Sequence, residues 1–199
     1  TDTAKSNYES CSCFPQKWLT RSASEQDRSP SMSFRSGNPV AQLIIISVGV
    51  WVLLSLLRIL LFISGHNAVM VEGTNLVFDN LALPLSVNQM LLHPWTLITY
   101  MFTHIELFHI FWNMITLFWF GQILAEYISP KKIIPIYLLG GLAGGIVALL
   151  LINFFPGLEA YKGLPLIGAS AGVTAIIIAD AVLLPEYRIN LMFIGEVKL

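Results

Sequence analysis

Four long apolar blocks alternate with short polar connections along this chain, and a polar run precedes the first. The blocks cover about residues 39–63, 94–128, 133–155 and 167–184. A helix rises about 1.5 Å per residue, so roughly 20 apolar residues cross the hydrocarbon core of a bilayer. Each block is predicted to supply one helical span. The second block is longer than one span. Its first part is expected at the membrane surface, and its span at about residues 100–128. The expected fold is all-α, a polytopic membrane helical bundle with four spans in this chain. No soluble core accounts for four such blocks in 199 residues.

Composition points the same way. Mean hydropathy is +0.71 and 12% of residues are charged, against about 25% in a soluble domain. The lipid bilayer is therefore the first expected partner. Net charge is −1 and no basic block occurs, which argues against nucleic acid as a partner. Residues 1–38 are polar and Ser-rich, with no helical or strand periodicity. They are expected to form a disordered cytosolic tail, too long and too charged for the n-region of a signal peptide. Residues 39–199 are expected to form the membrane domain. Cys11 and Cys13 lie in the tail. They are too close for an easy disulfide and lack the Cys-x-x-Cys spacing of a zinc site. They read as ordinary thiols.

Charge also predicts orientation. The tail carries Lys5, Lys17, Arg21, Arg28 and Arg35, and the turn after the second block carries Lys131 and Lys132. Residues 64–92 carry no Lys or Arg. The positive-inside rule then places the N-terminus and the Lys131 turn in the cytoplasm. The second and fourth spans both enter from the outer side. Polar residues shortly after each entry share one depth.

Those residues are His104, Glu106, His109 and Asn113 on the second block, and Ser170 on the fourth. His109 and Asn113 are four apart and share a helix face. A continuous helix puts His109 about 7 Å beyond His104. Polar side chains inside membranes are costly and turn to the bundle interior. One reading is that His109 and Asn113 only hydrogen-bond to neighbouring helices. No carboxylate completes a metal ligand set with the histidines, so no metal is expected.

Ser170 sits in "LIGASAG", and two readings stand. Gly168 with Gly172, and Ala171 with Ala175, are small-xxx-small pairs that let helices pack closely. Alternatively, Ser170 is a nucleophile in the first turn of a helix. Free N–H groups there stabilise an oxyanion, and His109 and Asn113 add donors from the facing helix. Arg58, near the outer end of the first block, is expected to snorkel or to pair with Glu72 or Asp79. Asp180 lies about 15 Å beyond Ser170 by helix rise, too far to complete a triad. Gly140, Gly141, Gly144 and Gly145 form two GxxxG pairs that favour close contact within the bundle.

The combination resembles the rhomboid intramembrane serine proteases. It comprises Trp95, the His109-x-x-x-Asn113 pair preceded by His104, "GQILAEYI" with Glu126, the glycine-rich "LLGGLAGG", and "GASAG" around Ser170. The resemblance runs over about residues 39–199 and is clearest from Trp95 to Gly172. It implies a six-helix bundle that cleaves transmembrane protein substrates. Ser170 is the implied nucleophile. His109, Asn113 and the Ser170 N–H form the implied oxyanion hole, supported by His104 and Gly168. No cofactor is implied. Three positions depart from the pattern. Thr96 follows Trp95 where the family often has Arg, Ala171 follows Ser170 where Gly is common, and Thr174 replaces a Tyr that often stacks on the catalytic His.

The family's general base is a His on the sixth helix, expected beyond residue 199. A serine without a base is a poor nucleophile, so these residues alone are expected to be inactive. The closing "GEVKL" reads as the loop before a fifth helix. The alternative, from another class, is a non-catalytic rhomboid-like protein that binds membrane helices. A small transporter is disfavoured, because the inverted repeat of such folds is missing. The expected location is a plasma or inner membrane, multi-pass, with the N-terminus cytoplasmic.

Overall fold

The computed structural model describes residues 37–64 and 80–184, and the backbone of two strands at 188–191 and 195–198. All of these belong to one compact unit, Phe34–Leu199. Residues 1–36, with Cys11 and Cys13, lie outside the described residues, as do His66, Glu72 and Asp79. The expected tail and the expected Arg58 pairing fall there.

Helix α1 spans Pro39–Ile63. Asn38 caps it, its side chain accepting from the Val40 N–H at 3.0 Å, and Pro39 follows at the first helical position. That position needs no N–H partner, so proline fits it. The helix buries one stripe, Val40, Ala41, Leu43, Ser47 and Leu54. Leu53, Leu60 and Ile63 are exposed. An apolar surface of this kind suits lipid as solvent, not water.

A long connector follows. Strand β1 (Leu83–Pro84) pairs antiparallel with β2 (Pro165–Leu166), Leu83 opposite Leu166. Helix α2 spans Val87–Leu92 and helix α3 Thr96–Thr99, which runs into a 3-10 turn at Tyr100–Phe102. Side chains satisfy its backbone oxygens. Trp95 Nε1 donates to Asn80 O at 2.8 Å, Thr99 Oγ1 to Leu81 O at 2.7 Å, and Thr96 Oγ1 to His93 O at 2.6 Å.

Helix α4 spans Leu107–Tyr127. The second block is thus not one helix from residue 100. Thr103 and Glu106 are both extended, at ψ 126° and 138°. The chain therefore runs as short helix, 3-10 turn, extended link and long helix. A 3-10 turn at Pro130–Lys132 leads into α5, Ile133–Phe154.

Helix α6 spans Ser170–Leu183, 14 residues. It begins three residues later than the hydropathy predicts. Gly168 stands at φ +111°, outside any right-handed helix, so α6 cannot start before it. At about 21 Å by helix rise, α6 is shorter than a bilayer core. Among the described residues, three helices, Pro39–Ile63, Leu107–Tyr127 and the stretch Pro130–Phe154, are long and apolar enough to cross. After α6, β3 (Arg188–Leu191) and β4 (Gly195–Lys198) form an antiparallel hairpin where a loop is expected.

Small residues set the α5–α6 contact. A Cβ at Gly140 would overlap Ala175 Cβ, and one at Gly144 would lie 2.6 Å from Ala171 Cβ. Gly172 in turn faces the Tyr137 ring. The GxxxG pairs thus act within the bundle. Around this contact Tyr100, Met101, Leu117, Leu124, Ile133, Tyr137 and Ile176 are buried. Two buried phenols bridge elements. Tyr100 donates to Gly141 O at 2.6 Å, and Tyr137 to Met101 O at 2.9 Å.

Candidate active site

The Gly168 turn and the start of α4 meet at one end of the bundle. Gly168 N–H donates to Tyr100 O at 2.9 Å. This bond docks the turn on the 3-10 segment. The His109 ring then lies against Gly168. A Cβ there would be 2.6 Å from both Cε1 and Nε2 of His109. Positive φ and the absent side chain are both needed at this position.

His104 holds the next residue. Its Nε2 accepts from the Ala169 N–H at 3.2 Å, and its Nδ1 lies 3.3 Å from Phe102 O. Accepting at Nε2 places the ring proton on Nδ1, which then donates to the carbonyl. The neutral ring thus joins the extended link to the N-terminus of α6. Burial pushes its pKa down to about 4, and the neighbouring His109 adds to the shift. The two rings are 5.1 Å apart and edge-to-face. The continuous-helix spacing between them therefore does not hold. His104 stands before α4 begins, and the extended link folds it back beside His109.

Ser170 is the first residue of α6 and is exposed. It lines an open cavity of about 450 Å³ with His109, Asn113, Trp112, Thr116 and Thr174. Asn113 is 9% exposed. Its Nδ2 donates to His109 O at 2.9 Å, one turn back. That bond uses one of its two N–H groups. The remaining donor and the first-turn N–H groups of α6 are the ordinary means of binding a negative oxygen.

The structure brings Ser170, His109 and Asn113 to one cavity. His104 and Gly168 stand behind it, against Ala169 and His109. Glu106 and Thr174, to which the sequence assigns no role in the site, also line the cavity, as do Trp112 and Thr116, which it does not point out. The signal is present in the spacing, because residues 109, 112, 113 and 116 fall on one helix face. Asp180 is fully buried about 15 Å along the helix from Ser170 and lines no part of the cavity. Among the described residues no cluster of three metal-binding side chains occurs.

The family model for the Rhomboid domain matches residues 92–197, which include every residue of this cavity. The chain is also similar to "RHOMBOID-like protein 12, mitochondrial" of Arabidopsis thaliana, 36% identical over 108 residues. That alignment covers 49% of this chain and 32% of the relative. The chain thus spans about a third of the length of the curated relative it matches. No solved structure matches it. With three membrane-length helices, a helical bundle and a family match over more than half its length, this chain is an integral membrane protein that belongs to the rhomboid family.

Proposed function

We propose that this chain carries the nucleophile and oxyanion site of an intramembrane serine endopeptidase. The observation that carries the reading is the single cavity shared by Ser170, His109 and Asn113. Ser170 Oγ attacks the carbonyl carbon of a peptide bond in a membrane-spanning substrate. The C–O bond forms as the hydroxyl proton passes to a base. The oxygen that gains charge is held by the Ser170 N–H and by the His109 and Asn113 side chains. The proton then passes to the leaving amine, and water releases the acyl group.

His109 faces the oxyanion and His104 is engaged with Ala169 in this scheme. His93 does not line the cavity, and the family resemblance implies that the base is a histidine outside the described residues. His104 and Gly168 are positioning residues, holding Ser170 and His109 at a fixed separation. The substrate is a transmembrane helix that unwinds near the site. The basic residues around the N-terminus and Lys131 support a cytoplasmic N-terminus and an outward-facing cavity, in a plasma or inner membrane.

The test uses the full-length protein in proteoliposomes. It is treated with a serine-reactive fluorophosphonate and, separately, given a model transmembrane substrate. Labelling and cleavage are expected in the wild type and absent in Ser170→Ala. Equal labelling and cleavage in both would remove Ser170 from the mechanism. Binding of transmembrane peptides without labelling or cleavage would favour the non-catalytic binder.

A further inference from the structure

One charged group in the cavity has no part in that chemistry. Glu106 lines it alongside His109, Asn113 and Ser170. Glu106 occupies the N-cap of α4, yet its side chain makes no capping bond. Asn, Asp, Ser and Thr suit that position, because a short side-chain oxygen reaches the first-turn N–H groups. Capping thus gives no reason for a glutamate here. The side chain is exposed, and among the described residues no cation pairs with it. No Lys or Arg lines the cavity.

The cavity runs along α4 from Glu106 to Thr116, and along α6 from Ser170 to Ile177. Glu106 therefore marks one end. His109 lies about 4.5 Å further along by helix rise. An extended chain advances about 3.3 Å per residue. A peptide with its carbonyl between Ser170 and His109 thus brings a side chain roughly one or two residues away to Glu106. Phe108, Trp112, Val173 and Ile177 line the same groove. A charge beside low-dielectric walls is felt more strongly than one on open surface.

We infer that Glu106 sets substrate specificity by charge. It favours a Lys or Arg on the flank of the scissile bond that faces the start of α4, and it disfavours Asp or Glu there. The inference rests on the protease reading, whose substrate class it narrows.

The experiment compares three transmembrane substrates that differ at that flank, carrying Lys, Gln or Glu. Cleavage by the full-length protein in proteoliposomes is followed at low and high salt. The Lys substrate is expected to be cleaved about three- to tenfold faster than the Glu substrate at low salt, and the ratio to shrink as salt screens it. Glu106→Gln should bring the ratio near one, and Glu106→Lys should invert it. A second readout measures binding of the same peptides to Ser170→Ala by photo-crosslinking, with no cleavage step. A Lys preference in binding without cleavage by the wild type would sink the protease reading and keep the charge-reading groove. Cleavage with no charge preference would sink the inference alone. A preference that survives Glu106→Gln unchanged would overturn it as well.

Discussion

The imidazole of His109 lies on the bare Cα of Gly168, where a Cβ would meet two ring atoms at 2.6 Å. This contact sets the distance between α4 and the start of α6. It ties a backbone constraint to a chemical one. Gly168 takes a left-handed φ of +111° and leaves the space that the histidine ring fills. Gly168→Ala violates both conditions at once. It is expected to destabilise the protein by about 1–3 kcal/mol and to reduce Ser170 labelling by at least about tenfold. Thermal unfolding in detergent and fluorophosphonate kinetics check the two effects. Unchanged labelling would show that the ring has another seat.

The bond from Ala169 N–H to His104 Nε2 makes a second prediction. His104→Ala leaves a buried donor without a partner, at a cost of about 1–3 kcal/mol. His104→Gln keeps an acceptor oxygen on a side chain of similar reach. It should recover part of both stability and labelling. Equal losses in the two variants would count against the hydrogen bond.

His104 also predicts a pH dependence. Its folded pKa, about 4, lies below the ordinary 6.5. Between these values the unfolded chain binds a proton that the folded chain does not. Stability therefore rises with pH across that window and levels off above about 6.5. Melting temperatures from pH 4 to 8 should show this slope. His104→Gln should flatten it, and an identical slope in that variant would assign it elsewhere.

Gly144 and Gly49 form a contrast. A Cβ at Gly144 would lie 2.6 Å from Ala171 Cβ, whereas one at Gly49 would meet nothing within 4 Å. Gly144→Ala is expected to cost about 1–3 kcal/mol. Because Ala171 adjoins Ser170, labelling should fall too. Gly49→Ala should be neutral or stabilising by up to about 1 kcal/mol. Similar melting temperatures for the two variants would argue against close α5–α6 packing.

Asp180 is fully buried, and neither carboxylate oxygen has a hydrogen-bond partner among the described residues. A buried polar group without a partner is a cost. Asp180→Ala is therefore expected to raise the melting temperature, against the usual trend for shortening a buried side chain. Ser170 labelling should stay within about twofold, since Asp180 lies roughly 15 Å along the helix from Ser170. A clear loss of stability would reveal a partner for the carboxyl.

Much of the architecture is legible in the apolar blocks. Their lengths predict membrane helices, and α1 and α5 lie where hydropathy puts them. The His109-x-x-x-Asn113 spacing predicts one helical face, and the small residues around Ser170 predict close packing. These are local consequences of helical period and side-chain size. The ends of helices are less legible. Residues 103–106 and 167–169 fall inside blocks whose hydropathy predicts a continuous helix, yet both lie outside the helices.

What the sequence alone determined is the membrane class, the helical faces and the small residues that permit close approach, because each follows from neighbours one or two turns apart. Tertiary structure decided the rest. The Gly168 turn is held by Tyr100, a residue 68 positions earlier in the chain. His104 meets His109 only because an extended link folds back to reach Ala169. Glu106 joins the Ser170 cavity only when α4 packs on α6. Hydropathy carries no record of these contacts, since they depend on which distant backbone groups must be paired once water is excluded.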